Sequence, residues 1–142
     1  MSAPAAPATG TRRRDRAVAV AATTVAALLV WIVGEPLLGH ELVIEPPGQS
    51  AQNLDGFAFT FITLGVSLAG WGVLALLERF TSRARTIWTV VAVVVVLLSF
   101  LPFLSVEATT GTVVVLSLAH LVVGAVLIPL MLRTTARPGA AA

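Results

Sequence analysis

Apolar residues gather in four long stretches along the chain, and short polar segments separate them. The stretches cover residues 17–38, 56–77, 87–104 and 112–132, and none contains arginine, lysine or aspartate. A helix rises ~1.5 Å per residue and the hydrocarbon core of a bilayer is ~30 Å thick, so each stretch can cross once as a helix. The pattern predicts an all-α integral membrane four-helix bundle, antiparallel in up-down-up-down order.

The segments outside these spans are too short to form a second domain. Residues 2–11 consist of Ser, Ala, Pro, Thr and Gly, which cannot bury enough apolar surface to order themselves. We therefore predict a disordered basic tail over residues 1–16, one membrane domain over residues 17–132 and a second tail over residues 133–142. The first stretch is also longer than the apolar core of a typical signal peptide, so we expect it to remain as the first span.

Charge is distributed very unequally between the two ends of the predicted spans. If the chain crosses the membrane four times, both termini and the segment between the second and third spans lie on the same side, and all nine arginines fall in these three segments. The segments on the other side carry acidic residues and neither arginine nor lysine. Short cytoplasmic loops of membrane proteins are enriched in Lys and Arg, so both termini are predicted to be cytoplasmic. The arginines are Arg12, Arg13, Arg14, Arg16, Arg79, Arg83, Arg85, Arg133 and Arg137, and the opposing acids are Glu35, Glu41, Glu45, Asp55 and Glu107.

Composition excludes several other classes of protein. The mean hydropathy is +0.95, and only 11% of the residues are charged, which is far from an ordinary soluble domain. The calculated pI of about 11.1 arises from the arginines, but no basic stripe alternates with stacking aromatics, so nucleic acid is not an expected partner. The absence of cysteine excludes disulfides, thiolate metal sites and lipid attachment through cysteine.

Small and hydroxyl-bearing residues predict which helix faces meet protein, because they allow close approach and hydrogen bonds between helices in lipid. The second span has two such edges on nearly opposite sides and is the predicted central helix, whereas the valine-rich third span is the predicted lipid-facing one. The first edge is Gly56, Thr60, Thr63, Ser67 and Gly70, and the second is Gly65, Ala69 and Gly72. Further stripes are Thr23, Ala27 and Gly34 in the first span, and Ser117, His120 and Gly124 in the fourth.

Two ionisable residues inside the spans are candidate functional groups, because such residues are costly in a membrane and often serve proton or ligand sites. His120 lies near the middle of the fourth span. It is either a functional group or a neutral imidazole bonded to Ser117, to a hydroxyl of the second span or to the Trp71 indole. Glu35 precedes Pro36, where a helix end or kink is expected. It is either a cation or proton site or an interfacial charge.

The acidic loops offer no recognised metal signature. His40 and the nearby acids could in principle gather around a divalent cation, but their spacing matches no known ligand pattern. Solvated loop acids that reinforce the orientation are the alternative. No nucleophile–base or metal constellation is present, so we expect neither an enzyme nor a cofactor.

Several short motifs together resemble a family of small actinobacterial four-helix membrane proteins known only as a domain of unknown function. The resemblance covers roughly residues 15–134 and implies the fold and a bacterial plasma membrane, but no activity and no functional residues. The motifs are WIVGEPLLG at 31–39, AGW at 69–71, LLERF at 76–80, RTIW at 85–88 and HLVVGA at 120–125.

The leading functional hypothesis is therefore a non-enzymatic accessory or scaffold protein that associates in the membrane with itself or with a protein partner. It rests on the two small-residue edges of the second span and on the lack of a polar pathway. The alternative is a small transporter or proton-coupled carrier that uses His120, the hydroxyls of the second span and Glu35.

Overall fold

The computed structural model of the protein describes residues 9–135, and within them it is mostly helical. Four long helices are joined by shorter elements. They are α1 (Thr9–Ile32), which continues into a π-helical turn (Val33–Leu37), then β1 (Val43–Ile44), β2 (Gln52–Asn53), α2 (Gly56–Phe80), α3 (Ala84–Leu98), a 3-10 turn (Leu101–Leu104) and α4 (Thr110–Arg133).

All four helical segments are long and apolar enough to cross a membrane. Taken with their adjoining turns, they run over Gly10–Leu37, Gly56–Phe80, Ala84–Leu104 and Thr110–Arg133. This confirms the predicted set of four candidate spans, although each helical segment extends beyond its predicted bounds at one end or both. The protein is therefore a multi-pass membrane protein.

The first helix begins earlier than the sequence indicated. Residues 9–16 are helical, so the predicted disordered tail is wrong for this part, while residues 1–8 and 136–142 lie outside the described range. Arginine is a good helix former. In addition, Arg16 is buried against other helices, with only 4% of its surface exposed. The tertiary contacts of Arg16 stabilise the helical turns over residues 9–16.

Local sequence signals explain where the other helices begin and end. The Asp55 carboxylate accepts a hydrogen bond from the Ala58 amide at 2.8 Å and caps α2, and the Thr109 hydroxyl caps α4 in the same way. Pro36 cannot donate a backbone hydrogen bond. The chain there widens into the π-helical turn and leaves the helix after Leu37, which confirms the predicted end of the first span.

The first helix, and not the second, occupies the centre of the packing. α1 packs extensively against both α2 and α4, whereas α2 hardly contacts α4. The prediction that α2 is central is therefore wrong, because α1 presents the closer-packing surface. Small buried side chains follow one another along that surface, and the three most enclosed are Ala19, Thr23 and Ala27. α3 has the fewest buried residues of the four, as predicted for the lipid-facing span.

The long connection between α1 and α2 closes one end of the bundle. We name residues 39–55 together with 105–109 the loop cap. Leu42 is the fully buried residue of the loop cap, and its carbonyl accepts a hydrogen bond from the Leu54 amide at 2.8 Å. Glu45 and Glu107 exchange two backbone hydrogen bonds of 2.9 and 3.1 Å. The connection before α4 is thus tied to the connection between α1 and α2.

The contact between the π-helical turn after α1 and α4 depends on a glycine. A Cβ added at Gly34 would lie 2.6 Å from Cγ1 of Val115, which is too close for both residues to remain in place. We predict that Gly34→Ala lowers the free energy of unfolding by about 1–3 kcal/mol, the usual range for overpacking. Unfolding of the purified protein in detergent micelles measures this.

A matched control and a rescue accompany this prediction. Gly65→Ala adds the same methyl group where nothing lies within 4 Å, so it should cause no loss. Val115→Ala should recover part of the loss in the double variant, with a coupling of about 0.5 kcal/mol or more. Equal losses in Gly34→Ala and Gly65→Ala would show that the close approach is not the cause.

Candidate functional site

His120 is bonded within its own helix. Its Nδ1 lies 2.7 Å from the carbonyl oxygen of Leu116, one turn earlier in α4. Because a carbonyl can only accept, Nδ1 carries the proton in this contact. Among residues 9–135, Nε2 of His120 has no hydrogen-bond partner. None of the three partners proposed from the sequence is therefore the one observed.

The imidazole of His120 lies beside two aromatic rings near the end of α3. The ring centroids of Phe100 and Phe103 lie 5.9 and 5.6 Å from that of the imidazole, and Phe103 meets it edge-on. Such contacts between aromatic rings stabilise packing. His120 is half-buried at this α3–α4 contact.

The hydroxyl groups of α2 have other surroundings and partners than His120 has. The Thr60 hydroxyl donates to the Gly56 carbonyl at 2.7 Å, which satisfies it within the helix. Thr63 and Ser67 are buried, and within the described part of the chain the Ser67 hydroxyl has no hydrogen-bond partner. Ser117 is half-buried. No hydrogen bond among residues 9–135 links His120 to these hydroxyls, so they do not form a connected polar site there.

Glu35 helps to hold the end of the first span against the loop cap. The Trp31 indole N–H lies 3.0 Å from both the Glu35 carboxylate and the Leu54 carbonyl oxygen, so it donates to two acceptors. A half-buried indole usually requires such a partner. Of the two roles that the sequence left open for Glu35, this contact fits the interfacial charge.

The other candidate ligands for a cation are dispersed. Asp55 caps α2, and Glu45 and Glu107 meet through their backbones. Within residues 9–135, no three histidine, aspartate or glutamate side chains approach closely enough to hold a metal ion.

The predicted packing residues fall into two groups. Gly70 and Gly124 do pack: the Gly70 carbonyl accepts from the Trp88 indole at 2.8 Å, and a Cβ at Gly124 would lie 3.0 Å from Val96 of α3. Gly65, Ala69 and Gly72 are exposed, and a Cβ at either glycine would meet nothing within 4 Å. The prediction that both edges of α2 touch other helices of the chain is wrong for this second edge.

The most connected polar site was not predicted. We name it the terminal clasp: Arg16, Glu78, Arg85, Thr134 and Thr135. The Arg16 guanidinium donates to the Glu78 carboxylate at 2.7 Å and to the Thr134 hydroxyl at 2.9 Å. The Arg85 guanidinium donates to the Thr135 hydroxyl at 3.0 Å and to the Leu132 carbonyl at 2.9 Å. The clasp thus joins α1, α2, α3 and the end of α4.

A sequence signal for the clasp did exist. Arg16 lies on the same helical face as Ala19, Thr23 and Ala27, and Glu78 lies one turn after the buried Leu74. Continuing the packing faces past the apolar stretches would have placed both charges between helices. The sequence-based interpretation treated the arginines only as markers of membrane orientation and therefore missed their contacts between helices.

The chain belongs to a family of unknown function, DUF6069, whose family model matches residues 7–137. This confirms the resemblance to a domain of unknown function, while actinobacterial origin stays a prediction. No curated protein and no solved structure matches the chain.

The ion pair of the clasp generates a stability prediction. Glu78→Gln leaves the Arg16 guanidinium, which is 4% exposed, without its counter-charge. We expect a loss of about 3 kcal/mol in the free energy of unfolding, at the lower end for a broken buried pair because Glu78 is partly exposed. Chemical unfolding in detergent measures the loss.

The matched control for this variant is Asp15→Asn, which neutralises an exposed acid next to Arg16. It should change stability by less than about 0.5 kcal/mol, as most surface substitutions do. Should both variants behave alike, the clasp would contribute no more than a surface charge.

Proposed function

We propose that the protein is a non-enzymatic accessory or scaffold protein of a bacterial plasma membrane. In this proposal the four spans run up-down-up-down with both termini in the cytoplasm. The protein associates with a second copy or with another membrane protein through the exposed small-residue edge of α2. We name Gly65, Ala69 and Gly72 the open edge.

The observation that carries the proposal is the absence of any neighbour at this edge. Within the described chain, its three residues are exposed near the middle of a spanning helix, and a Cβ added at Gly65 or Gly72 would meet nothing within 4 Å. Small residues at spacings of three and four positions let a second helix approach closely, and close packing drives helix association in lipid.

Larger apolar side chains flank the open edge and extend it along the helix. Phe61, Ile62 and Leu76 project from the same side of α2 and are 68%, 54% and 55% exposed. The open edge thus lies between bulky residues on one face of α2. A second helix could therefore contact the α2 backbone at the open edge and pack against large side chains above and below it.

The orientation is supported by the contacts of the clasp. Arg16 at the start of α1 meets Glu78 at the end of α2, and Arg85 at the start of α3 meets Thr135 after α4. These contacts bring the arginine-bearing segments together at one end. The positive-inside rule then favours the cytoplasm for that end.

A proton-coupled carrier is the second candidate. It is favoured by His120, whose Nε2 has no hydrogen-bond partner among residues 9–135, at mid-helix. Against it stands the lack of any hydrogen bond among residues 9–135 that links His120 to the α2 hydroxyls or to Glu35, which accepts from the Trp31 indole instead.

The absence of native cysteine makes the association directly testable. For self-association, Ala69→Cys should form a disulfide-linked dimer in oxidised membranes. Ala125→Cys, exposed on α4, provides the matched control and should not. Adding Gly65→Leu or Gly72→Leu should weaken association about tenfold, a loss of ~1.4 kcal/mol. Non-reducing electrophoresis measures the dimer.

Association with a different protein is tested by a pull-down of the tagged protein from native membranes. Gly65→Leu should remove the partner, whereas Ala125→Leu and His120→Ala should retain it. If neither the dimer nor any co-purified protein depends on Gly65 and Gly72, the scaffold proposal is wrong. Loss of a pH-dependent phenotype in a correctly inserted His120→Ala variant would favour the carrier.

The orientation generates a separate prediction. Reporters active only in the cytoplasm, fused to either terminus, should be active, and a reporter inserted at Gly48 in the loop between β1 and β2 should be inactive. The arginines supply the physical reason, because they resist translocation. A periplasm-specific reporter provides the reciprocal control. Activity of that reporter at either terminus would contradict the proposed topology.

A further inference from the structure

A cavity of about 280 Å³ lies beside the terminal clasp, between the start of α3 and the end of α4. Its lining divides into an apolar part and a polar part. Pro129 and Leu132 belong to the spanning part of α4, and the polar lining lies at or beyond the helix ends. The lining residues are Arg85, Pro129, Leu132, Arg133 and Thr135.

The two arginines of the cavity retain donors that the protein does not use. Only Nη1 of Arg85 is engaged, by the Leu132 carbonyl and the Thr135 hydroxyl. Its Nε and Nη2 groups make no hydrogen bond within residues 9–135, and neither does the exposed Arg133 side chain. A guanidinium has five N–H donors in a fixed plane. The bonds of Arg85 therefore orient its remaining donors without consuming them.

The positive charge of the cavity is also unbalanced. In the described part of the chain, no carboxylate oxygen lies within 4 Å of either guanidinium, and Glu78 pairs with Arg16. Guanidinium groups are well suited to bind phosphate oxygens, often through two parallel hydrogen bonds, and two of them line this cavity. Basic pockets between membrane helices on the cytoplasmic side bind anionic headgroups.

We propose that this cavity binds a phosphate group, presented either by an anionic phospholipid headgroup or as free phosphate. Arg85 and Arg133 bind the phosphate oxygens. In the lipid case, Pro129 and Leu132 contact the first part of an acyl chain. The inference rests on the proposed placement of the clasp at the cytoplasmic membrane surface, and it assigns a ligand to that end of the bundle.

The test uses the full chain purified in a non-ionic detergent. Native mass spectrometry measures binding of phosphatidylglycerol, with zwitterionic phosphatidylcholine for comparison, and titration calorimetry measures binding of inorganic phosphate. Arg133→Gln removes an exposed guanidinium that makes no hydrogen bond within the described residues. Arg79→Gln removes the same charge at the same end of the bundle, outside the cavity. Arg85→Lys keeps the charge but not the planar donors.

We expect Arg133→Gln to weaken binding about fivefold, the equivalent of ~1 kcal/mol per arginine at a membrane surface, and Arg79→Gln to leave it unchanged. Arg85→Lys should also weaken it. Binding of phosphatidylglycerol alone would identify a lipid headgroup as the ligand, and binding of inorganic phosphate with the same Arg133 dependence would identify free phosphate. Both results support the cavity as a phosphate site.

Two results would overturn the inference. One is equal weakening by Arg133→Gln and Arg79→Gln, which would indicate general surface charge, and the other is no binding of either ligand by the unchanged protein. Carbonate extraction of the source membranes and the Ala69→Cys cross-link report integration and association independently. A result that excludes phosphate binding is thus distinguishable from a result that excludes the proposed function.

Discussion

The bundle depends on how closely α1 can approach its neighbours. In lipid, burying apolar side chains gives little gain over leaving them in the bilayer, so helices are held by close packing and hydrogen bonds. α1 provides the close packing through a continuous face of small residues, from Ala19 through Ala27 to Gly34. A larger residue at the tightest of these positions would move α1 away from α4. The arrangement of α2 and α4 on either side of α1 follows from this one face.

The two ends of the bundle are closed by different chemistry. At the loop cap, backbone hydrogen bonds join Glu45 to Glu107, and Leu42 is fully buried. At the terminal clasp, charged side chains bind carboxylate, hydroxyl and carbonyl oxygens of other helices. A buried guanidinium is tolerated there because Arg16 gains an ion pair and a second hydrogen bond. The same arginines that orient a membrane protein can thus also fasten its helices.

Some of this architecture could be predicted from the sequence, and the limits have physical causes. Four spans follow from length and hydropathy alone, because any apolar stretch of that length must become a helix in lipid. The small residues of α2 did not reveal which helix is central, because a small residue can allow contact with a helix of the same chain or of another chain. Gly70 contacts helices of the same chain, whereas Gly65 and Gly72 have no neighbour within the described chain. Trp88 is 2% exposed, and its indole donates across to the Gly70 carbonyl of α2, a contact that its position in the sequence does not indicate.

The use of polar groups inside the bundle bears on what kind of protein this is. Thr23, Thr24 and Thr60 donate to carbonyls one turn earlier in their own helices, and His120 does the same. A relay or a substrate path needs polar groups that face one another across helices, where a proton or ligand can pass between them. Apart from the bond between the Trp88 indole and the Gly70 carbonyl, the polar contacts between helices in the described chain concentrate at the two ends. What the spanning region presents outward is packing surface, with small residues on α2 between bulky apolar ones. This distribution of polar and small residues supports the proposed association at the surface of the bundle over the proposed carrier.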